Sequence, residues 1–225
     1  MQRASSLFSV SDRQRINETV QAAECHTSAE IVPVVSTASG RYDRAEDLVG
    51  LWWGALLVVA VSIWWPAEVA ESGSWGMHPA VWQMLKLVAA LLAGFLLGAS
   101  LGSRIAWLRR LFTPAQQMRD EVQLVARGVF FDNRVHHTQS GGGLLIYVSL
   151  FEQVAVLLAD RQVLEGLGQS ALDELCDSLT LRLRANEPTE ALCQTIQAAG
   201  EKLKTVLPRA MEDVNQLPDA LVTLD

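Results

Sequence analysis

Two long uncharged apolar runs constrain this chain more than any other feature. Leu48–Trp65 reads LVGLWWGALLVVAVSIWW, and Leu87–Ser103 reads LVAALLAGFLLGASLGS. A helix rises about 1.5 Å per residue, so about 20 residues cross a hydrocarbon core of about 30 Å. The lengths predict a transmembrane helical hairpin within residues 48–107, with spans near 48–65 and 85–103. All seven tryptophans fall in or beside this region, and Trp favours the membrane–water boundary. A pair of buried helices in a soluble core is the alternative, but it leaves the gathering of every Trp unexplained.

Flanking charge sets an orientation. Arg41 and Arg44 precede the first run, and Arg104, Arg109, Arg110 and Arg119 follow the second. The connector, 66–84, carries Glu68 and Glu71 and no Lys or Arg. Basic residues stay on the cytoplasmic side. The expectation is a bacterial inner-membrane protein with both termini in the cytoplasm. Residues 1–15 contain no apolar segment of signal-peptide type. The three cysteines, Cys25, Cys176 and Cys193, form no CxxC pattern, which fits inert thiols in a reducing compartment.

Glycines recur four apart in both runs: Gly50 and Gly54 in the first, Gly94, Gly98 and Gly102 in the second. Small residues at this spacing let helix backbones approach closely in lipid. The Gly50/Gly54 pair is expected to face the Gly98/Gly102 pair. Homo-oligomerisation through Gly94–Gly102 is the rival use. Neither run has an ionisable residue at mid-depth, which argues against a channel or transporter.

Residues 1–47 and 108–225 are enough for one ordinary domain, read here as a single discontinuous cytoplasmic unit. A helix begins near Ser11 and Gln14, a capping-box spacing, with Ile16, Val20 and Ala23 at helical intervals. Glu30–Ser36 (EIVPVVS) reads as a strand, and Pro33 in it implies an edge or an irregularity. Thr113–Pro114–Ala115–Gln116 opens another helix with Met118, Val122, Val125 and Val129 on its apolar face. Gly143–Ser149 and Val154–Ala159 are near-continuous apolar runs, expected as central strands joined by a short turn. Leu172, Leu175, Leu179 and Leu183 mark one helix; Leu192, Ile196, Ala199 and Leu203 mark another opened near Pro188. The tail Pro208–Asp225 reads as mostly irregular. The fold class is therefore α/β: a small central sheet sandwiched by helices, interrupted by the hairpin.

The segment from Ala29 through Val35, His137–Thr138, Gly141–Ser149, Phe151–Gln153, Ala159–Asp160 and the stretch Asn215–Asp219 together resemble the TPM domain family, in particular bacterial membrane proteins with a two-helix insertion. The resemblance implies an α/β sandwich. It also implies either a role in assembly or quality control of other proteins, or acid phosphatase or calcium-binding activity, as described for some members. Two departures weaken the phosphatase implication. Gly141–Leu144 replaces a turn that usually reads Arg-Thr-Gly-Val, and Gln153 replaces an Arg after Glu152.

The polar residues to weigh are few. Asp160 ends a predicted strand and could hold a divalent cation or act as a general acid–base, or simply cap the next turn. Glu152 is a second candidate metal ligand. Glu30 and His137 are candidate catalytic groups; the rival for Glu30 is starting its strand or pairing with an Arg, and adjacent His136 and His137 point apart on any strand. Gly141–Gly143 could cradle a phosphate but precedes a strand rather than a helix, so a turn is the simpler reading. No Rossmann, P-loop, HExxH or GxSxG pattern is present. A net charge of −7 argues against nucleic acid, which needs a basic footprint. No cofactor is indicated beyond that possible cation. The expected partners are the bilayer and other membrane proteins. The favoured reading is a membrane-anchored binding or scaffold module; the alternative is a metal-dependent phosphatase.

Overall fold

The computed structural model describes residues 3–66, 79–135, 142–209 and 220–225. They form two compact units: Arg41–Ala115, and Gln2–Gly40 with Gln116–Asp225.

The first unit is a helical hairpin. Helix α3 spans Asp43–Trp64 and α4 spans Pro79–Arg104, followed by a short helix, α5, at Ala106–Leu111. The glycines explain how α3 and α4 meet. A Cβ on Gly94 would lie 2.7 Å from the Gly54 Cα, and one on Gly98 would lie 2.9 Å from the Gly50 Cα. Both are closer than real Cβ contacts, so the two backbones touch where side chains are absent. The Phe95 ring fills the space beside Gly50. The register differs from the expected one by a turn. Gly54 faces Gly94 rather than Gly98 or Gly102, and Gly102 sits opposite Glu46 and Val49. Five glycines in two helices cannot all pair, and side-chain volume at Phe95 and Val49 selects the register.

The second unit is a four-stranded sheet with helices on both faces. Strand β1 is Glu30–Ser36, β2 is Gly143–Ser149, β3 is Val154–Ala159 and β4 is Val222–Leu224. Their order is β3-β2-β1-β4. β1 runs parallel to β2 and β4, and β2 runs antiparallel to β3. Side chains alternate between faces. Ile31, Val35, Leu144, Ile146 and Val148 enter one core with α2 (Val10–Glu24), α8 (Gln169–Arg184) and α9 (Pro188–Val206). Val32, Val34, Leu145 and Tyr147 enter the other, against Val122, Ala126 and Phe130 of α6 (Ala115–Asp132).

The helix starts follow local chemistry. The cap of α2 is Ser9, not Ser11. The Ser9 hydroxyl accepts from the Asp12 amide and the Asp12 carboxylate accepts from the Ser9 amide, at 3.2 and 3.0 Å. Pro188 occupies the first turn of α9. The buried stripe of α6 is Met118, Val122, Ala126 and Phe130, with Val125 and Val129 at its margin. The hydrophobic spacing fitted either stripe, and packing on the sheet chose between them.

Three expectations about the sheet change. β3 is an edge strand and only Leu157 in it is buried. Its apolar run reflects partial cover on both faces rather than a central place. The tail, expected to be mostly irregular, adds a short strand, β4, near its end. Pro33 lies in an inner strand, yet it breaks no ladder. The Glu30 amide donates toward β2, to the Gly142 carbonyl at 2.7 Å. By alternation the nitrogens of Ile31, Pro33 and Val35 point to the opposite edge. There β4 pairs only with Val34–Ser36, and the Ile31 amide is taken by the Glu24 carboxylate at 2.7 Å. Pro33 sits on the stretch of edge that β4 leaves uncovered, where a missing donor costs nothing.

Candidate functional site

The densest polar cluster lies at the carboxyl ends of β1 and β2, a place where α/β sheets commonly bind ligands. Its centre is Glu152, on the turn between β2 and β3, only 2% exposed. One carboxylate oxygen accepts from the Ser39 and Gly40 amides at 2.9 and 3.1 Å. The other accepts from the Ser149 hydroxyl. The Ser39 hydroxyl links Ser149, at 3.0 Å, to the buried Tyr147 hydroxyl, at 2.9 Å. Two backbone bonds join the same loops: Leu150 to the Ser36 carbonyl and Phe151 to the Thr37 carbonyl, at 2.9 and 3.1 Å. A carboxylate is expensive to bury unless donors surround it, and here three converge on it.

This geometry is an anion receptor filled by the protein's own side chain. A cation bound at Glu152 would have to share its carboxylate with these backbone and hydroxyl donors. The cluster instead ties the segment after β1 to the β2–β3 turn. Gln153 completes that turn in the left-handed region, φ 54°.

Asp160 lies elsewhere. It follows β3, which runs opposite to β1 and β2, so it sits at the far end of the sheet from Glu152. Seven residues of strand separate the two ends, about 20 Å. The two candidate metal ligands therefore cannot share an ion. Asp160 caps α7 (Arg161–Leu167): its carboxylate accepts from the Val163 amide at 3.0 Å, and its own amide donates to the Gly143 carbonyl at 2.9 Å. Burial raises its pKa, against the lowering effect of the amide bonds from Val163 and Gly143. That is the capping role set against catalysis at the sequence level.

Glu30 is at the same end of the sheet as Asp160, buried at the start of β1 and paired in register with Gly143. Gly143 has no room for a side chain, because a Cβ would fall 1.9 Å from the Val135 carbonyl oxygen. Of the triple glycine, this residue is spent on close backbone approach. His136, His137, Ser140, Gly141, Asn215 and Asp219 lie outside the described residues. Among the described residues no group of three His, Cys, Asp or Glu could hold a metal.

Two features had no signal in the sequence. Ser39 and Tyr147 belong to the Glu152 cluster only because β1 and β2 end side by side. Asp225 forms a second cluster: it accepts from the Thr37 hydroxyl at 2.9 Å and from the Ser5 amide at 3.1 Å, while the Ala4 amide donates to Thr37 at 2.7 Å. The Ser5 and Thr37 bonds hold its pKa below the usual carboxylate value. The three cysteines are free. Cys176 donates to the Ala155 carbonyl at 3.2 Å on the edge strand, and burial pushes its thiol pKa up, so it is held as the unreactive thiol.

No protein-family model matches the chain, and no curated protein does. Among solved structures it is similar to the NMR structure of the BA42 protein from the psychrophilic bacterium Bizionia argentinensis. That likeness has a TM-score of 0.55 at 14% identity and covers 96% of this chain and 94% of that one. At that identity it speaks for the fold alone: a small sheet between helices, consistent with a TPM-like fold carrying an inserted hairpin.

Proposed function

We propose that this protein is a membrane-anchored module of TPM type that binds and positions other membrane proteins, with its sheet unit on the cytoplasmic face of a bacterial inner membrane. The observation that carries the anchoring is the state of α3 and α4. Both contain windows long and apolar enough to cross a bilayer, Glu46–Trp64 and Ala80–Arg104, and only 17% of each window is buried. A core helix of a soluble protein would be mostly buried. Leu56, Val59, Ile63, Leu92, Leu96 and Leu97 instead point outward, a surface that suits lipid. Arginine before α3 and after α4, against an arginine-free connector, supports the cytoplasmic side.

The binding role is supported by how the polar residues are used. Glu152 and Asp160 serve loop anchoring and helix capping at opposite ends of the sheet, which leaves the hydrolase reading resting on resemblance alone. Paired topology reporters fused after Asp225 test the orientation: the cytoplasmically active reporter is expected to work and the exported one to stay silent. The reverse result overturns the cytoplasmic assignment. Phosphatase assay of the detergent-solubilised full chain tests the class. Metal-dependent turnover that Asp160→Asn abolishes would replace the binding module with the hydrolase.

A further inference from the structure

Immediately after α4 the chain breaks at Ile105 and re-forms the six-residue helix α5. The break follows Gly102–Ser103, a Gly/Ser pair of the kind found at sharp helix kinks. Trp107 and Leu111 in α5 are four residues apart and share a face. They are 68% and 69% exposed, among the most exposed large apolar residues of the protein. A fold that needed only a loop between α4 and α6 would have no use for them there.

Basic residues outnumber acidic ones at the α4 end: Arg41, Arg44, Arg104, Arg109 and Arg110 stand against Asp43, Glu46 and Asp47. Arg104 closes α4 and is exposed; Arg110 is half-buried in α5. The start of α3 lies at this same end of the hairpin, since Gly102 sits opposite Glu46, and Arg41 precedes it. A short helix with exposed Trp and Leu beside arginines, directly continuous with a membrane-length helix, has the chemistry of an interfacial anchor. The apolar pair suits the acyl boundary and the guanidinium groups suit phosphate diesters, which they bind by paired N–H donors.

We infer that α5 lies in the membrane interface and that Arg104 and Arg110 bind the phosphate headgroups of anionic lipids, with Trp107 and Leu111 seated among the acyl chains. This rests on the membrane reading above. It adds a lipid-selective site to an anchor that otherwise needs only hydrocarbon.

The test uses the full chain, freed of cysteine by Cys25→Ser, Cys176→Ala and Cys193→Ala, in bilayers of zwitterionic lipid with or without phosphatidylglycerol. A spin label at Leu111→Cys is compared with one at Leu96→Cys in α4. Both labels are expected to be open to oxygen and closed to an aqueous nickel reagent, with the Leu111 label the shallower. Arg104→Gln with Arg110→Gln should weaken phosphatidylglycerol retention in native mass spectrometry by about fivefold per arginine removed. If the Leu96 label sits in lipid and the Leu111 label in water, α5 is not an interfacial anchor and the membrane reading stands. If both sit in water, the membrane reading falls as well. A Leu111 label closed to both reagents means that protein covers α5, and it overturns the proposal. Unchanged lipid retention in the double arginine variant overturns the headgroup site.

Discussion

The hairpin and the sheet unit solve the same packing problem by opposite means. In the sheet unit, side chains interdigitate: Leu144, Ile146, Leu179, Leu192 and Ile196 are all fully buried, and burial from water drives their assembly. In the hairpin, backbones meet where side chains are missing, at Gly54 with Gly94 and Gly50 with Gly98, while large apolar groups point outward. The hydrophobic effect cannot hold two helices together inside lipid, so close van der Waals approach must. One chain thus carries a core packed by side chains and a helix pair packed through its backbones, and substitutions should separate them.

The largest effect is expected from Glu152→Ala. It strands two amides and a buried hydroxyl, and should cost the sheet unit about 3 kcal/mol of stability. Chemical denaturation of the full chain in detergent, followed by sheet-unit circular dichroism, reads this. Glu152→Gln keeps an acceptor and should cost less; equal losses for the two would mean that the donors are satisfied in another way. Helix-to-helix disulfide trapping in the hairpin should be unchanged in both.

The converse substitution is Gly94→Leu. Its side chain has to occupy the place of the Gly54 backbone, so α3 and α4 must separate, at a cost of about 1–3 kcal/mol. Trapping between cysteines placed on facing turns should fall, while amide exchange in β1 and β2 stays as in the parent. Exchange that rises in the strands would show that the two packing regimes are coupled.

Asp160→Ala should cost about 1 kcal/mol through loss of the α7 cap. Asp160→Asn retains the acceptor without the buried charge and should be close to neutral. A large loss on Asp160→Asn would assign the charge itself a task that capping does not explain.

The smallest effect is local and set by pH. Asp225 has a lowered pKa in the folded state, caused first by its Ser5 bonds. A depressed acid stabilises above its unfolded pKa, and that stabilisation is lost as pH falls through the folded value. Protection of the β4 and α1 (Ala4–Leu7) amides against exchange, taken relative to the intrinsic rate, should therefore fall below about pH 4, and Asp225→Asn should remove the dependence. Asp160 has the opposite sign: its pKa is raised, so protonation on acidification favours the folded form. The hairpin has no part in either response.

Much of the sheet unit was legible because its elements announce themselves locally. β1, β2 and β3 run over the residues their β-branched and apolar runs indicate, and α9 starts at its proline. The short pieces α1, α5 and β4 were not, because four to six residues, or three, carry too little periodicity. The candidate site was less legible still. Glu152 follows an apolar strand in a turn, which marks it as polar and local but says nothing of Ser39, more than a hundred positions away, whose amide it binds. Asp160 at the end of an apolar run reads more readily as a cap than as a ligand, and the structure shows the cap.

The sequence by itself determined the two regimes. Uncharged runs of membrane length, glycines four apart and the arginine asymmetry are properties of neighbouring residues, and they dictate two helices long and apolar enough to cross a membrane. Alternating and continuous apolar runs likewise dictate strands and helices for a layered α/β unit. Only the tertiary structure decided strand order, which glycines touch, which end of the sheet each carboxylate occupies, and why Pro33 is tolerated inside a sheet. Those outcomes depend on pairings between residues far apart in the chain, and the energy of such a pairing is not written in either partner alone.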